Sequence, residues 1–234
     1  MGRTLVIGDI HGNILGLEDI LKKCKFKKSD TLISLGDVCD GGNRTRQVID
    51  KLLTIPKLIN ILGNHDFWAL NWMKTGEEFP AWWHQGGMRT AESYGFDYKS
   101  VPQEHIKFIE TALPYYIDTE NRVFVHGGFD PLKPIAEQDT DFLTWDRSLL
   151  CEYAPYHIIE GYKHVFVGHT TTQHFGHDIN INCLEPLAFN NLIAMDTGGG
   201  WDGRLTIMDI NTFKFWQSDI SANKQNEMSL YREW

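Results

Sequence analysis

Thr4-Leu5-Val6-Ile7-Gly8-Asp9-Ile10-His11-Gly12 is a short, largely apolar run that breaks at a glycine and hands over at once to a carboxylate and an imidazole. The same arrangement recurs along the chain. Thr31–Leu35 leads into Gly36-Asp37, Leu58–Leu62 into Gly63-Asn64-His65, and Arg122–Val125 into His126-Gly127-Gly128. His164–Val167 leads into Gly168-His169, and Leu192–Met195 into Asp196-Thr197-Gly198. Runs of this length and β-branched content read as buried strands, and a glycine beside each polar residue permits the sharp turn off the strand.

Between the first runs lie segments with helical spacing: Ile14, Leu17, Ile20 and Leu21, then Val48, Ile49, Leu52 and Leu53. Alternating strand and helix implies βαβ crossovers, which gather reactive groups at the carboxyl ends of the strands. A further helix is expected from Pro102, carrying Ile106, Ile109 and Leu113. At the carboxyl end, Leu205–Ile210 and Phe213–Trp216 flank the short turn Asn211-Thr212, a hairpin signal. Antiparallel strands closing an α/β chain predict two packed mixed β-sheets flanked by helices, in one domain spanning 1–234.

Bulk properties narrow the functional classes. The chain has 234 residues, of which 42% are hydrophobic, enough for one full core. A formal charge of −9 argues against an extended nucleic-acid surface or an anionic membrane as partner, while leaving room for a local phosphate site. No apolar stretch has the length of a membrane span, and the amino terminus lacks a signal-peptide pattern. Cys24, Cys39, Cys151 and Cys183 lack CxxC spacing, so reduced buried thiols and a cytoplasmic location are expected.

First-row divalent metals are held by imidazole, carboxylate and amide oxygen, and a two-metal site needs a carboxylate able to bridge. Asp9 and His11, Asp37, Asn64 and His65, His126 and His169 supply that set from separate strand ends. One such residue alone would read as a turn or capping group. Six ligand-type residues at strand ends without an ion would be a costly burial of polar groups.

The motifs GDIHGN, GDVCDGG, GNHD, VHGG and GHT, in this order, resemble those of the calcineurin-like metallophosphoesterases, in the phosphoprotein phosphatase branch that includes bacteriophage lambda phosphatase. The resemblance runs from Gly8 to about Gly203 and implies the αββα sandwich of that family. It implies that Asp9, His11 and Asp37 hold one metal, that Asp37, Asn64, His126 and His169 hold the other, and that Asp37 bridges. It further implies that His65 protonates the leaving oxygen, that Asp40 orients His65, and that Arg147 binds phosphate alongside Asn64. Manganese is the first expectation for both ions, with iron and zinc fitting the same ligands. The implied activity is hydrolysis of phosphate monoesters of phosphoproteins, small esters or nucleotides, by direct attack of metal-bridging hydroxide. The alternatives are a symmetrical dinucleoside polyphosphate hydrolase and a metal-binding regulatory protein with weakened catalysis.

One departure stands out, because the family pattern GDxxDRG has arginine where this chain has Gly41. Arg44 and Arg46 are the nearest replacements, yet Arg147 alone is expected to carry the phosphate. A helical, aromatic cap insertion is expected at about 67–121, where Phe67, Trp68, Trp72, Phe79, Trp82 and Trp83 near His84 read as a satellite core, with a platform for a nucleobase as the alternative. His105, His157, His164, His174 and His177 are expected in surface or loop roles.

Overall fold

The computed structural model describes residues 2–176 and 183–230. Ten strands form two five-stranded sheets. The first has the order β10-β9-β1-β2-β3, built from β1 (Thr4–Ile7), β2 (Thr31–Ser34), β3 (Leu58–Asn60), β9 (Thr206–Asp209) and β10 (Phe215–Gln217). The second has the order β4-β5-β6-β8-β7, built from β4 (Tyr115–Ile117), β5 (Arg122–Val125), β6 (His164–Val167), β7 (Leu187–Phe189) and β8 (Leu192–Ala194). β1, β2 and β3 are parallel, as are β5, β6 and β8, while β9, β10, β4 and β7 pair antiparallel at the flanks. All six strands read from apolar runs are present; β4 and β7 were not anticipated.

Period-two alternation explains the layering. Val6, Ile33 and Met208 of the first sheet meet Phe124, Phe166 and Ile193 of the second in one buried cluster between the sheets. Phe124 and Phe166 stack at its centre, 5.0 Å apart. The alternate residues face outward onto helices: Leu5, Ile7, Leu32 and Ile207 on one side, Val123, Val125, Val165 and Val167 on the other.

Helices α1 (Ile14–Lys23) and α2 (Thr45–Leu53) cover the first sheet with the expected residues: Leu17, Ile20, Val48, Ile49 and Leu52 are all fully buried. Leu53 instead points outward. The segment 67–121 holds most of α3 (Asn64–Thr75), then α4 (Pro80–Trp82), a kinked π-turn (Trp83–Gly87), α5 (Met88–Ser93), α6 (Gln103–Glu110) and β4. Its aromatic residues are not a satellite core. Trp72, Trp82 and Tyr94 belong to the same cluster as Ile10, Val48 and Ile49, and His84 lies exposed above it. Helix α7 (Thr140–Trp145) precedes a second π-turn (Leu149–Tyr153), and α8 (Ala222–Leu230) follows the last strand.

Three details differ from the expectations. The hairpin turn is five residues, 210–214, because Phe213 takes a left-handed φ of 57° and donates its N–H to the Asp209 carbonyl. Pro102 caps α6 instead of beginning it, and Leu113 lies beyond the helix, where it bridges Ile61. His105 is fully buried on α6, Nδ1 to the Tyr94 hydroxyl at 2.8 Å and Nε2 to Asp50 at 2.9 Å. A histidine on a helix reads as solvated until a partner for each nitrogen is known. His157 and His174 are exposed, His164 is half-buried, and His177 lies outside the described residues. All four cysteines are free thiols, with Cys24 and Cys39 buried. Among the described residues no helix is long and apolar enough to cross a membrane.

Candidate active site

The parallel strands of both sheets end at one side of the sandwich, and the residues that follow them converge there. Asp9 and His11 follow β1, Asp37 and Asp40 follow β2, and Asn64 and His65 open α3 after β3. His126 follows β5, His169 follows β6, and Asp196 follows β8. His11, Asp37, Asp40 and His169 all have positive φ, between 48° and 71°. Non-glycine residues rarely adopt this region, and such strain collects at functional sites. The glycines make the convergence possible: a Cβ on Gly63 would lie 2.1 Å from Asp37 Oδ1.

Two groups of ligand type form. In one, single atoms of Asp9, His11 and Asp37 all lie within 4.8 Å of one another; in the other, so do atoms of Asp37, His126 and His169. Asp37 belongs to both. Asn64 joins the second group, its Oδ1 2.9 Å from His126 Nε2. His11 Nδ1 donates to the Cys39 carbonyl and His126 Nδ1 to the Leu35 carbonyl, each at 2.8 Å. Those bonds turn Nε2 of both rings toward the carboxylates, an orientation typical of metal-ligating histidines.

The donor set fits divalent cations on two observations. His169 Nε2 is buried with no hydrogen-bond partner, an unusual cost for a polar atom. Four carboxylates, Asp9, Asp37, Asp66 and Asp196, are buried around one centre. Burial, with Asp196 and Asp37 close by, pushes Asp9 well above the ordinary carboxylate range, and burial raises Asp66 and Asp196 to about 6. Burial works against the charge of Asp37 too, yet His126 and His65 hold its carboxyl far below the usual range. Burial lowers His11 to about 4, leaving a neutral imidazole with a free lone pair. Neutral imidazoles and clustered carboxylates are the donors that manganese, iron and zinc accept.

Beside this centre His65 Nδ1 lies 2.8 Å from Asp40 Oδ2, and Asp40 is fully buried. Burial pulls the His65 imidazole down, but Asp37 and the bond to Asp40 outweigh it and hold it at about 9. Arg147 Nη1 is pinned by the Thr170 hydroxyl at 2.7 Å and the His169 carbonyl at 3.3 Å. His65 and Arg147 border a pocket of about 250 Å³ that His11, Asp37, Asn64 and His169 also line. Trp145 and Trp201 form apolar walls, and Gln85, Thr170, Thr171, His174 and Asp196 complete it. A larger groove of about 640 Å³, around Leu132 and Tyr153, contains none of the convergent residues.

The structure thus brings together all the residues singled out as ligands, acid pair and phosphate binder. Arg44 and Arg46 stay outside. Arg44 caps α2 and reaches Ser229 at 3.3 Å, and Arg46 is exposed on α2. Asp66, the last residue of GNHD, is a further functional residue: it accepts from the backbone N–H of Val38 and Cys39 at 2.8 and 3.0 Å and so shapes the loop carrying Asp37 and Asp40. Asp196 had its signal in the strand-end pattern. Trp145 and Trp201 had none, since nothing local marks an exposed tryptophan as a pocket wall.

Two packed sheets, six convergent strand ends and an aspartate common to two ligand-type groups are the features of a metal-dependent phosphoesterase, and the calcineurin-like phosphoesterase family model matches residues 2–195. The chain belongs to that family. Curated relatives put it on the phosphoprotein phosphatase branch: it is 30% identical over 222 residues to serine/threonine-protein phosphatase 2 of Escherichia coli and 28% identical over 223 residues to that of Salmonella typhimurium, covering 88% of this chain and 91% of the relative in each case. A symmetrical bis(5'-nucleosyl)-tetraphosphatase of Dechloromonas aromatica is 32% identical over 78 residues, covering 32% of this chain and 28% of that one. A metallophosphoesterase structure from Sphaerobacter thermophilus shares the fold, with a TM-score of 0.62, 21% identity, and coverage of 98% of this chain and 94% of that one.

Proposed function

We propose that this metal-dependent phosphoesterase hydrolyses phosphate monoesters of the phosphoserine and phosphothreonine type. The observation that carries the reading is the buried Asp40–His65 pair, set beside two ligand groups that share Asp37. A regulatory protein with weakened catalysis would have no need of an Asp40-paired imidazole at the wall of a phosphate-sized pocket.

Asp9, His11 and Asp37 would hold one divalent ion, and Asp37, Asn64, His126 and His169 a second, with manganese the first expectation. Two bound ions supply screening of the phosphate oxygens and acidification of water. The chain's own residues do the rest. Arg147, fixed by Thr170, binds and orients the phosphate through its planar guanidinium. The amide of Asn64 would steady an equatorial oxygen. His65 keeps Nδ1–H on Asp40 and presents Nε2–H to the pocket, so the leaving oxygen takes that proton as its bond to phosphorus breaks.

The second reading, symmetrical cleavage of dinucleoside polyphosphates, is favoured by the partial match to the Dechloromonas aromatica protein. A direct comparison separates the two. The purified chain with manganese is assayed for turnover of phosphoserine and phosphothreonine peptides and of diadenosine tetraphosphate. Preferential release of inorganic phosphate from the peptides is expected. Higher efficiency on the dinucleotide, or no turnover of the peptides, overturns the proposal.

A further inference from the structure

Asp40 does not face His65 alone. Its carboxylate is fully buried and accepts two more hydrogen bonds, both from the segment that follows α3 in sequence. The indole Nε1 of Trp82 donates to Oδ2 at 2.9 Å, the same oxygen that meets His65 Nδ1. The Thr90 hydroxyl donates to Oδ1 at 2.8 Å and accepts the backbone N–H of Asp40 at 2.8 Å. Trp82 and Thr90 are themselves fully buried, and Thr90 Oγ1 contacts Thr45 Oγ1 at 3.0 Å.

The backbone between these residues is shaped to hold that arrangement. Gln85 and Gly86 leave helical geometry inside the π-turn, at φ −94° and +104°, and fold the chain back over the Trp82 indole. A Cβ on Gly87 would sit 2.2 Å from Trp82 Cε2, so the ring is clamped from one side by the chain itself. A Cβ on Gly86 would sit 2.5 Å from Gly41 N, so the same turn leans on the residue after Asp40. π-turns of this kind collect at functional sites.

We propose that Trp82 and Thr90 are positioning residues for proton donation: by fixing both carboxylate oxygens of Asp40, they aim His65 at the leaving oxygen. An Asp40 held by His65 alone could rotate about its side-chain torsions and carry the imidazole with it. A small misplacement of a proton donor is costly in rate. Neither residue lines the pocket, and both come from the segment between the GNHD and VHGG motifs.

The inference rests on the reading of His65 as the acid, so the test begins there. The manganese-loaded chain and its variants are assayed on p-nitrophenyl phosphate, whose leaving group needs no proton, and on a phosphoserine peptide, whose leaving group does. His65→Ala should lose on the order of 10²-fold on the peptide and far less on p-nitrophenyl phosphate. Equal losses mean that His65 is not the acid, and the reading of function fails at that point. Given a selective loss, Trp82→Phe, which keeps the ring volume and removes the N–H, should lower kcat on the peptide about tenfold more than on p-nitrophenyl phosphate, with KM little moved. Thr90→Val should act in the same direction, and Thr90→Ser should restore the peptide rate. In a His65→Ala background, Trp82→Phe should have no further selective effect. Equal losses on both substrates in Trp82→Phe, or a selective loss that persists without His65, make Trp82 a structural residue and overturn the inference.

Discussion

Position 41 shows how a sequence departure becomes a steric fact. Gly41 has φ +67°, a Cβ there would lie 2.8 Å from the Gly200 carbonyl and 3.1 Å from His11 Cβ, and the Gly86 backbone leans on its amide. An arginine at this point would crowd the Gly200 carbonyl and the His11 side chain and take on a left-handed φ. Arg44 and Arg46 lie outside the pocket, and among the described residues Arg147 is the one arginine or lysine lining it. Arg147→Ala should therefore lose on the order of 10²-fold in kcat/KM on a monoester, the scale of removing a preorganised charge donor. Arg44→Ala and Arg46→Ala, measured beside it, should stay close to the parent. A mild effect at Arg147 with a severe one at Arg44 or Arg46 would move the phosphate pocket toward the second motif.

Among the elements, the strands were the most legible. Six apolar runs ended in glycine and a ligand-type residue, and the residue types alone said which end of the sheets would carry chemistry. β4 and β7 were not legible. Tyr115–Ile117 and Leu187–Phe189 are three-residue edge strands with half-buried or exposed side chains, too short for a periodicity to show. The burial of His105 is illegible for a related reason: its partners Tyr94 and Asp50 come from α5's C-terminal boundary and from α2, and no local pattern announces them. The turn between α1 and β2 offers an electrostatic test. Asp30 accepts from the backbone N–H of Arg3 and Lys27 at 2.9 and 3.1 Å and pairs with the Arg3 guanidinium at 2.7 Å. Burial raises its pKa, but the Arg3 contacts outweigh that and leave it below the usual value. A depressed carboxylate adds stability above its unfolded pKa of about 3.9 and loses it as pH falls through the folded value. Arg3 is partly exposed, so the contribution is set at about 1 kcal/mol. Urea unfolding should find Asp30→Asn less stable by about that amount at pH 7, with the gap shrinking below about pH 4. An equal gap at pH 7 and pH 3 contradicts the role given to this carboxylate.

For the whole molecule, two sheets meet face to face so that loops from both deliver ligands to one point, and Asp37 lies where the two groups overlap. Its place after an apolar run and a glycine marks it as one of a set of ligand-type residues, and its sharing between two ions is implied by the family resemblance. What the sequence could not supply was the surrounding hold on the acid pair, because Trp82 and Thr90 reach Asp40 only through the folded path of α4, the π-turn and α5. The central claim is that one carboxylate serves two ions, and metal content tests it directly. Elemental analysis of the manganese-loaded parent should find about two equivalents per chain, and Asp37→Asn should hold at most about one, with turnover reduced on the order of 10²-fold. Two fully retained equivalents with normal turnover in Asp37→Asn would contradict the account.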